Sequence, residues 1–507
     1  MSFLMESSAV GQPSPLSFSN TLNALLGALV LYAALHSLYN IYLHSLSRFP
    51  GPKLWQTSYI FRHIASIRGT LDVSIKAFHT EYGPVVRYSP DELSFISAEA
   101  WRDIYGFREN ALPKDPSFYG LIQLSRDKSP SIFTADQDHH PRVRKALSYA
   151  FSEKALRDQE PFVKHYVDLL IQRLRGIADA EDNRVDLVKW YNFTTFDIIG
   201  DLAIGRSFDC LQDSAYHSWV DAFWKSIKIS PYARAMATYT DVPRLLRLFA
   251  PRALKEARLR RLQYVGVHME ERLARGILRD KPDFISKRQL PAPSRDGDDR
   301  DGTVRDNVLP AQNPEALRKA TAEVRSAYNS EDEITFATTA ERLPYMQACL
   351  TEGLRIYPSG PIAAPRRTPR GTVTWIAGHP VPGGGGGGGV ISVGVHAWTA
   401  SNSPLNFHRQ ADFIPERWLS PSTMDPASPF QRDNRAASQP FSVGPRNCLG
   451  KAFALNEMRV ILARMLWNFD MKLLPQSDGW ERQRIFTLWD KGPLMVELNE
   501  VRSSLHN

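Results

Sequence analysis

Near the end of the chain stands Phe441-Ser-Val-Gly444-Pro-Arg446-Asn-Cys448-Leu-Gly450, running directly into the helical stretch KAFALNEMRVILARMLW. A thiol placed where a loop becomes a helix N-terminus lies in the positive end of the helix dipole, and Arg446 adds a cation, so the pattern favours thiolate. Such a thiolate can ligate iron; a cysteine in a glycine-bearing loop can also be purely structural. Gly444 and Gly450 allow a tight turn and let a flat cofactor lie against the backbone, because no Cβ intervenes. The other cysteines, Cys210 and Cys349, are distant, the total of three is odd, and there is no CxxC pair. Neither a disulfide framework nor a zinc site follows, and a reducing compartment is expected.

Four further groups carry charge in suggestive spacing. Glu352-Gly-Leu-Arg355 sits on a predicted helix, where an i, i+3 pair shares a face. Downstream comes Phe413-Ile-Pro415-Glu416-Arg417-Trp418, while His140-Pro-Arg-Val-Arg144 and Ala364-Pro-Arg366 supply basic segments. Taken singly, each reads as a surface ion pair or a solvated basic face.

Taken together and in this order, the motifs resemble the cytochrome P-450 family of heme-thiolate monooxygenases. Its heme loop FxxGxRxCxG is matched at Phe441, Gly444, Arg446, Cys448 and Gly450, its ExxR at Glu352 and Arg355, and its PERF-like motif at Arg417 and its neighbours. The resemblance spans roughly residues 20 to 500. It implies heme b as cofactor, Cys448 as axial ligand of the iron, Phe441 packed beside the sulfur, and Arg446 paired with a heme propionate. It also implies that Arg366, with His140 and Arg144, faces the propionates, and that Glu352, Arg355 and Arg417 form a buried network fixing the cysteine loop. Thiolate ligation is the lever that favours O–O cleavage in this family. The implied activity is oxidation of an apolar small molecule by dioxygen, with electrons from an NADPH-dependent reductase. Arg446, Lys451 and Arg459 are candidate contacts for an acidic reductase. Phrases such as LPYMQACLTEGLRIYP are similar to those of fungal members acting in secondary metabolism on polyketides or terpenoids.

The elements that must position these groups are mainly helical, with a small β region. Residues 84–97 read as two short strands around Ser89-Pro90-Asp91, residues 139–175, 185–208, 251–278 and 345–356 as helical, and residues 372–395 as β-like. Asn313 before Pro314 and Glu315 marks another helix start, and residues 449–469 form a long closing helix. The 507 residues carry 43% hydrophobic and 23% charged residues and a net charge of +8, which excludes a disordered chain or a polytopic membrane protein. So mild a surplus suggests no nucleic-acid partner.

Residues 22–43 hold no charged side chain other than His36 and are long enough to cross a bilayer. The first 21 residues carry Glu6 and no Lys or Arg, whereas Arg48 and Lys53 follow the apolar run, so the bulk of the chain is expected to stay cytosolic. The organisation expected is a single-pass anchor over residues 1–47 and a heme-thiolate catalytic domain over residues 48–507, on the endoplasmic reticulum.

Two stretches break the pattern. The family's oxygen-activating helix, with its acid and threonine, has no counterpart here, so no catalytic proton relay is assigned. Residues 286–312, SKRQLPAPSRDGDDRDGTVRDNVLPAQ, stand in its place and are too polar and proline-bearing to cross a core as a helix. The central helix therefore reads as missing or corrupted. Three readings follow: a frame-shifted or mis-spliced stretch, a heme-binding relic, or a peroxide-rearranging isomerase that needs no external oxygen. Gly383 to Gly389, seven glycines in a row, is expected to be a flexible hairpin linker.

Overall fold

The computed structural model describes residues 18–109, 111–122, 131–239, 266–268, 270–272, 274, 313–384 and 390–501. Residues 286–312 and most of the basic stretch 251–278 lie outside these, as does the place of the central helix. The apolar N-terminal run forms α1 (Phe18–Leu38), exposed along nearly its whole length, and a π turn (Tyr39–Leu43) continues it. Together they give one helix, Ser19–Leu43, long and apolar enough to cross a membrane. The body begins earlier than residue 48: Asn40 and His44 are buried, and Leu46 is fully enclosed.

Prolines 50 and 52 end the run, and three short helices follow: α2 (Lys53–Thr57), α3 (Ile60–Arg68) and α4 (Leu71–Tyr82). The expected strands are present as β1 (Val85–Ser89) and β2 (Glu92–Phe95), paired antiparallel. Ser97 then caps α5 (Ala98–Tyr105) by accepting from the Ala100 N–H, and α6 (Pro116–Ile122) and α7 (His140–Ser148) lead to α8 (Glu153–Ala178), capped by Ser152. Strand β3 (Arg184–Asp186) delivers Asp186 as cap of α9 (Leu187–Ile204); α10 (Cys210–Asp213) and α11 (Ser218–Thr238) follow. Past the undescribed segment come α12 (Pro314–Ala327), α13 (Phe336–Arg342) and α14 (Pro344–Ile356). Asn313 precedes α12 as expected but makes no side-chain capping bond.

Strand β4 (Arg366–Arg367) is followed by the hairpin β5 (Val373–Ile376) and β6 (His379–Pro382), and then by β7 (Ser392–Val395). Short helices α15 (Ala397–Ser401) and α16 (Ser420–Met424) precede the closing helix α17 (Lys451–Asn468). The chain ends in β8 (Phe469–Leu473), β9 (Arg484–Ile485), β10 (Trp489–Asp490) and β11 (Met495–Glu500).

The glycine tract corrects one expectation. The β5–β6 hairpin turns at Ala377-Gly378, both at positive φ, and Gly383 onward instead crosses from that two-stranded sheet to β7 of another. Gly383 itself is tightly fitted: its N–H donates to Thr372 O, and an added Cβ would strike the Pro369 carbonyl. Residues 385–389 lie outside the described residues.

In the four-stranded sheet, ordered β1-β2-β7-β4, β7 runs parallel to β2 with Leu93 opposite Val393. Helix α17 is apolar on two sides because it serves two cores. Val460, Ile461 and Met465 pack with α8, α9 and β11, while Met458, Leu462 and Leu466 pack with α12 and α14. The loop carrying Cys448 is thus attached to a helix enclosed between two cores.

Candidate functional site

The loop before α17 makes a single 3-10 turn over Gly444–Arg446, and the Cys448 N–H closes it by donating to Phe441 O at 2.9 Å. Cys448 is exposed, whereas Cys210 and Cys349 are buried, and burial pushes the Cys210 thiol up to about 12. Only one of the two glycines makes the tight turn expected of both. Gly444 has φ +76°, and an added Cβ would collide with the Tyr105 carbonyl at the end of α5, so it serves a protein contact. Gly450 is buried with φ −84°, a conformation open to any residue, and forms the N-cap of α17. Phe441 packs into the core between α12, α14 and α17, and the Lys451 ammonium lies 5.8 Å above its ring.

Around this loop the structure gathers the basic groups that the sequence placed far apart. Arg144 donates to Asn447 O at 2.8 Å and Asn447 Oδ1 at 2.5 Å, and its charge is coupled to Cys448. Arg446 turns instead to Ala135 O and Asp136 O, at 2.8 and 2.7 Å. Arg366 is buried, donates to Tyr119 Oη at 2.7 Å and stacks over the rings of Tyr105 and Tyr119. A further cation, Lys114, faces Arg366 across an antiparallel bridge and donates to Phe133 O and Ala135 O.

These cations strain one another. Burial, then Arg446, Lys114, Arg144 and Arg366, bring His140 down to about 4; burial, then Arg446 and Arg366, bring Lys114 down to about 6. Arg446 falls to about 10 through burial and Arg366, and the neighbouring Asp136 offsets the excess in part. Three arginines crowded with two basic groups that they keep largely unprotonated, near an exposed cysteine, suit a flat, dianionic, iron-bearing group: the thiol can meet the metal and the basic groups the carboxylates. Heme fits that description. Lys114, Tyr119 and Asn447 were not legible in the sequence, since no spacing links them to Cys448.

Beneath the loop lies a charge network with no exposure. Arg355 holds Glu352 bidentately, Nε to Oε2 at 2.8 Å and Nη2 to Oε1 at 2.9 Å, and Arg417 Nε reaches Oε1 at 3.0 Å. Trp418 Nε1 and the Ile414 N–H complete the carboxylate at 2.8 and 2.9 Å. The expected Glu-Arg-Arg set has a fourth member, because Arg417 Nη1 donates to Asp433 Oδ2 at 2.5 Å, giving two cations and two anions. Arg355 also donates to the carbonyls of Ser401, Gln410 and Asp412. The segment leading to Phe441 is thereby tied to α14. Glu416 stands apart, bonded to Lys319 and the Tyr345 hydroxyl.

A helical body with a small sheet, a cysteine loop before a helix enclosed between two cores and a buried carboxylate–guanidinium network define a heme-thiolate oxidoreductase. The sequence profile "Cytochrome P-450" matches residues 50–287 and 309–496, and the chain belongs to this family of heme-iron monooxygenases. It is 40% identical to the trichothecene C-4 hydroxylase of Trichoderma arundinaceum over 94% of this chain and 96% of that protein. It is also 40% identical to the cytochrome P-450 monooxygenase olcB of Penicillium canescens (96% and 100%), and 38% identical to lcsI of Purpureocillium lilacinum (93% of each).

Proposed function

We propose that this chain is a membrane-anchored monooxygenase that hydroxylates or otherwise oxidises an apolar secondary metabolite of polyketide or terpenoid type. The observation that carries the reading is the exposed Cys448 in a loop lined by Arg144, Arg366 and Arg446, where burial and their charge hold the neighbouring Lys114 and His140 largely unprotonated. Cys448 ligates the iron; Lys114, His140, Arg144, Arg366 and Arg446 hold the propionates. When bound, heme supplies the activation of dioxygen. The chain's own residues do the positioning: Arg144 clamps Asn447 beside the thiolate, and the Glu352 network keeps the loop in register with α14. Electrons come from an NADPH-dependent reductase, for which Lys451 and Arg459 are contacts on the outer side of α17. The named activity of the Trichoderma relative supports hydroxylation. α1 crosses the endoplasmic reticulum membrane with the body on the cytosolic side, the arrangement that Arg48 and Lys53 favour.

A second reading has its own observation: the family match is interrupted at residues 288–308, inside the polar stretch 286–312. On that reading the chain binds heme without turnover, or the stretch is a misread part of the gene. One experiment separates these. A ferrous-CO difference spectrum with a red-shifted Soret band, together with oxidation of an apolar substrate that requires NADPH and reductase, supports the monooxygenase. The band without turnover favours the relic, and peroxide rearrangement without NADPH favours an isomerase. Sequencing the transcript across codons 286–312 settles the misread gene separately.

A further inference from the structure

Tyr105, the last residue of α5, is buried between the two parts of the site. Its backbone stands against the cysteine loop: a Cβ built on Gly444 would lie 2.1 Å from the Tyr105 carbonyl oxygen and 2.9 Å from Gly106 Cα. One turn earlier in the same helix, Trp101 donates its indole N–H to Ala437 O at 2.9 Å, in the segment that leads to Phe441, and its ring centroid lies 5.2 Å from that of Tyr105. The side chain of Tyr105 meets the strands that carry Arg366. The Val395 N–H of β7 donates to its hydroxyl at 3.1 Å, and the backbone of Ala364, two residues before Arg366, is bonded to the same hydroxyl. The Arg366 guanidinium lies 5.3 Å from the centre of its ring, within range of a cation–π contact. Val443 of the cysteine loop and Ala364 pack on the one apolar cluster to which Tyr105 belongs.

The chemistry of a tyrosine suits this place. Burial pushes its hydroxyl up to about 12, and Arg366 pulls it back only in part, so the phenol stays neutral at any working pH. A neutral ring holds Arg366 by its face and leaves the guanidinium charge for a carboxylate, whereas an acidic partner would neutralise it. Among the described residues Arg366 donates to Tyr119 Oη and Pro365 O and to no carboxylate. Heme is a rigid plane, so its iron and its carboxylates stand at a fixed separation. A thiol and an arginine that share it must be spaced to match.

We propose that Tyr105 is a positioning residue for cofactor binding: acting through Arg366, with its backbone against Gly444, it sets the spacing between the guanidinium that holds a propionate and the thiolate that holds the iron. The inference rests on the heme-thiolate reading of Cys448 and Arg366. It gives one buried side chain a part in both ends of the cofactor without contact to the iron.

The test compares Tyr105→Phe, which keeps the ring and removes the hydroxyl, with Tyr105→Leu, which removes the ring face as well. Heme release from the full chain is timed by transfer to an excess of heme-free globin, and the ferrous-CO spectrum is divided into its red-shifted thiolate band and the unshifted band of iron without a thiolate. Loss of one hydrogen bond speeds release about fivefold in Tyr105→Phe. Loss of the cation–π contact as well brings Tyr105→Leu to about thirtyfold, with a growing share of unshifted band in both. Val167→Ala, a cavity in the core of α8 and α9, lowers the melting point and moves neither readout. In an Arg366→Gln background Tyr105→Leu loses most of its effect, because the guanidinium through which it acts is gone. Tyr105 variants that only melt earlier, as Val167→Ala does, overturn the proposal and leave the heme-thiolate reading standing. A Tyr105→Leu effect that persists in full without Arg366 does the same. A parent chain with no red-shifted band overturns that reading and the proposal with it.

Discussion

Arg417 lies 65 residues beyond Glu352 in the chain, yet its Nε donates to Glu352 Oε1 at 3.0 Å with both side chains fully enclosed. The same guanidinium meets Asp433, so it stands between two carboxylates that have no access to water. Arg417→Met leaves two buried anions to one cation, and breaking a buried pair by removing one partner costs about 3–5 kcal/mol. Loss of soluble, heme-loaded protein is expected, with a large fall in the denaturant midpoint of what survives. Arg318→Met, on an exposed pair with Glu315, should leave the midpoint in place. Equal behaviour of the two variants would remove the structural role given to the network.

Cys448→Ala is expected to abolish the red-shifted ferrous-CO band while leaving the chain folded, because the side chain is exposed and fills no core space. Cys349→Ala should do the reverse: Cys349 is wholly buried between α12 and α17, so its loss lowers stability through a small cavity and keeps the band. Visible spectra and thermal melts on the two variants check both halves.

Heme loading should take up a proton. In the cofactor-free chain Lys114 is brought down to about 6, first by burial and then by Arg446 and Arg366, so at pH 7.5 it is mostly neutral. Anionic carboxylates set among these cations raise it, and the bound form then holds one proton more. Heme affinity therefore falls as pH rises above about 6, by up to about tenfold per pH unit while a single proton is taken up. Titrations of the cofactor-free chain with heme across this range should show that slope, and Lys114→Met should flatten it.

Gly444→Ala tests the turn. A left-handed φ costs a non-glycine residue about 1–2 kcal/mol, and here the Tyr105 carbonyl also blocks the added methyl. Expected outcomes are a melting point lower by several degrees and weakened heme retention, whereas Gly450→Ala, at an ordinary φ, should be milder on backbone grounds. Differential scanning calorimetry of both proteins decides.

What could be read from the sequence was whatever local spacing encodes. Glu352 and Arg355 share a helical face by arithmetic, and the ten residues from Phe441 to Gly450 carry their loop within themselves. Asp433 and Lys114 could not be read, since each joins the site through long-range packing, Asp433 by meeting a guanidinium 16 residues upstream and Lys114 by bridging to Arg366. Gly444 was recognised for the right reason, a tight turn, but its space is taken by Tyr105, a neighbour no motif names. The glycine tract was misassigned because repetition conveys flexibility but not which strands it joins. Arg446 was assigned to a heme propionate, whereas its hydrogen bonds to Ala135 O and Asp136 O depend on a loop fixed only in three dimensions.

The clamp between Arg144 and Asn447 spans 303 positions of sequence. At about 5–20 residues per second, a ribosome needs roughly 15 to 60 s to make the second half of that contact after the first has emerged. Throughout that interval His140, Arg144 and Lys114 are a nascent basic surface with nothing to receive, and α17, which must seal two cores, has not yet been made. With the roles proposed for Cys448 and these basic residues, cofactor capture is confined to the end of synthesis, and a ribosome that stops before codon 448 releases a chain that holds most of the basic groups but lacks the thiol.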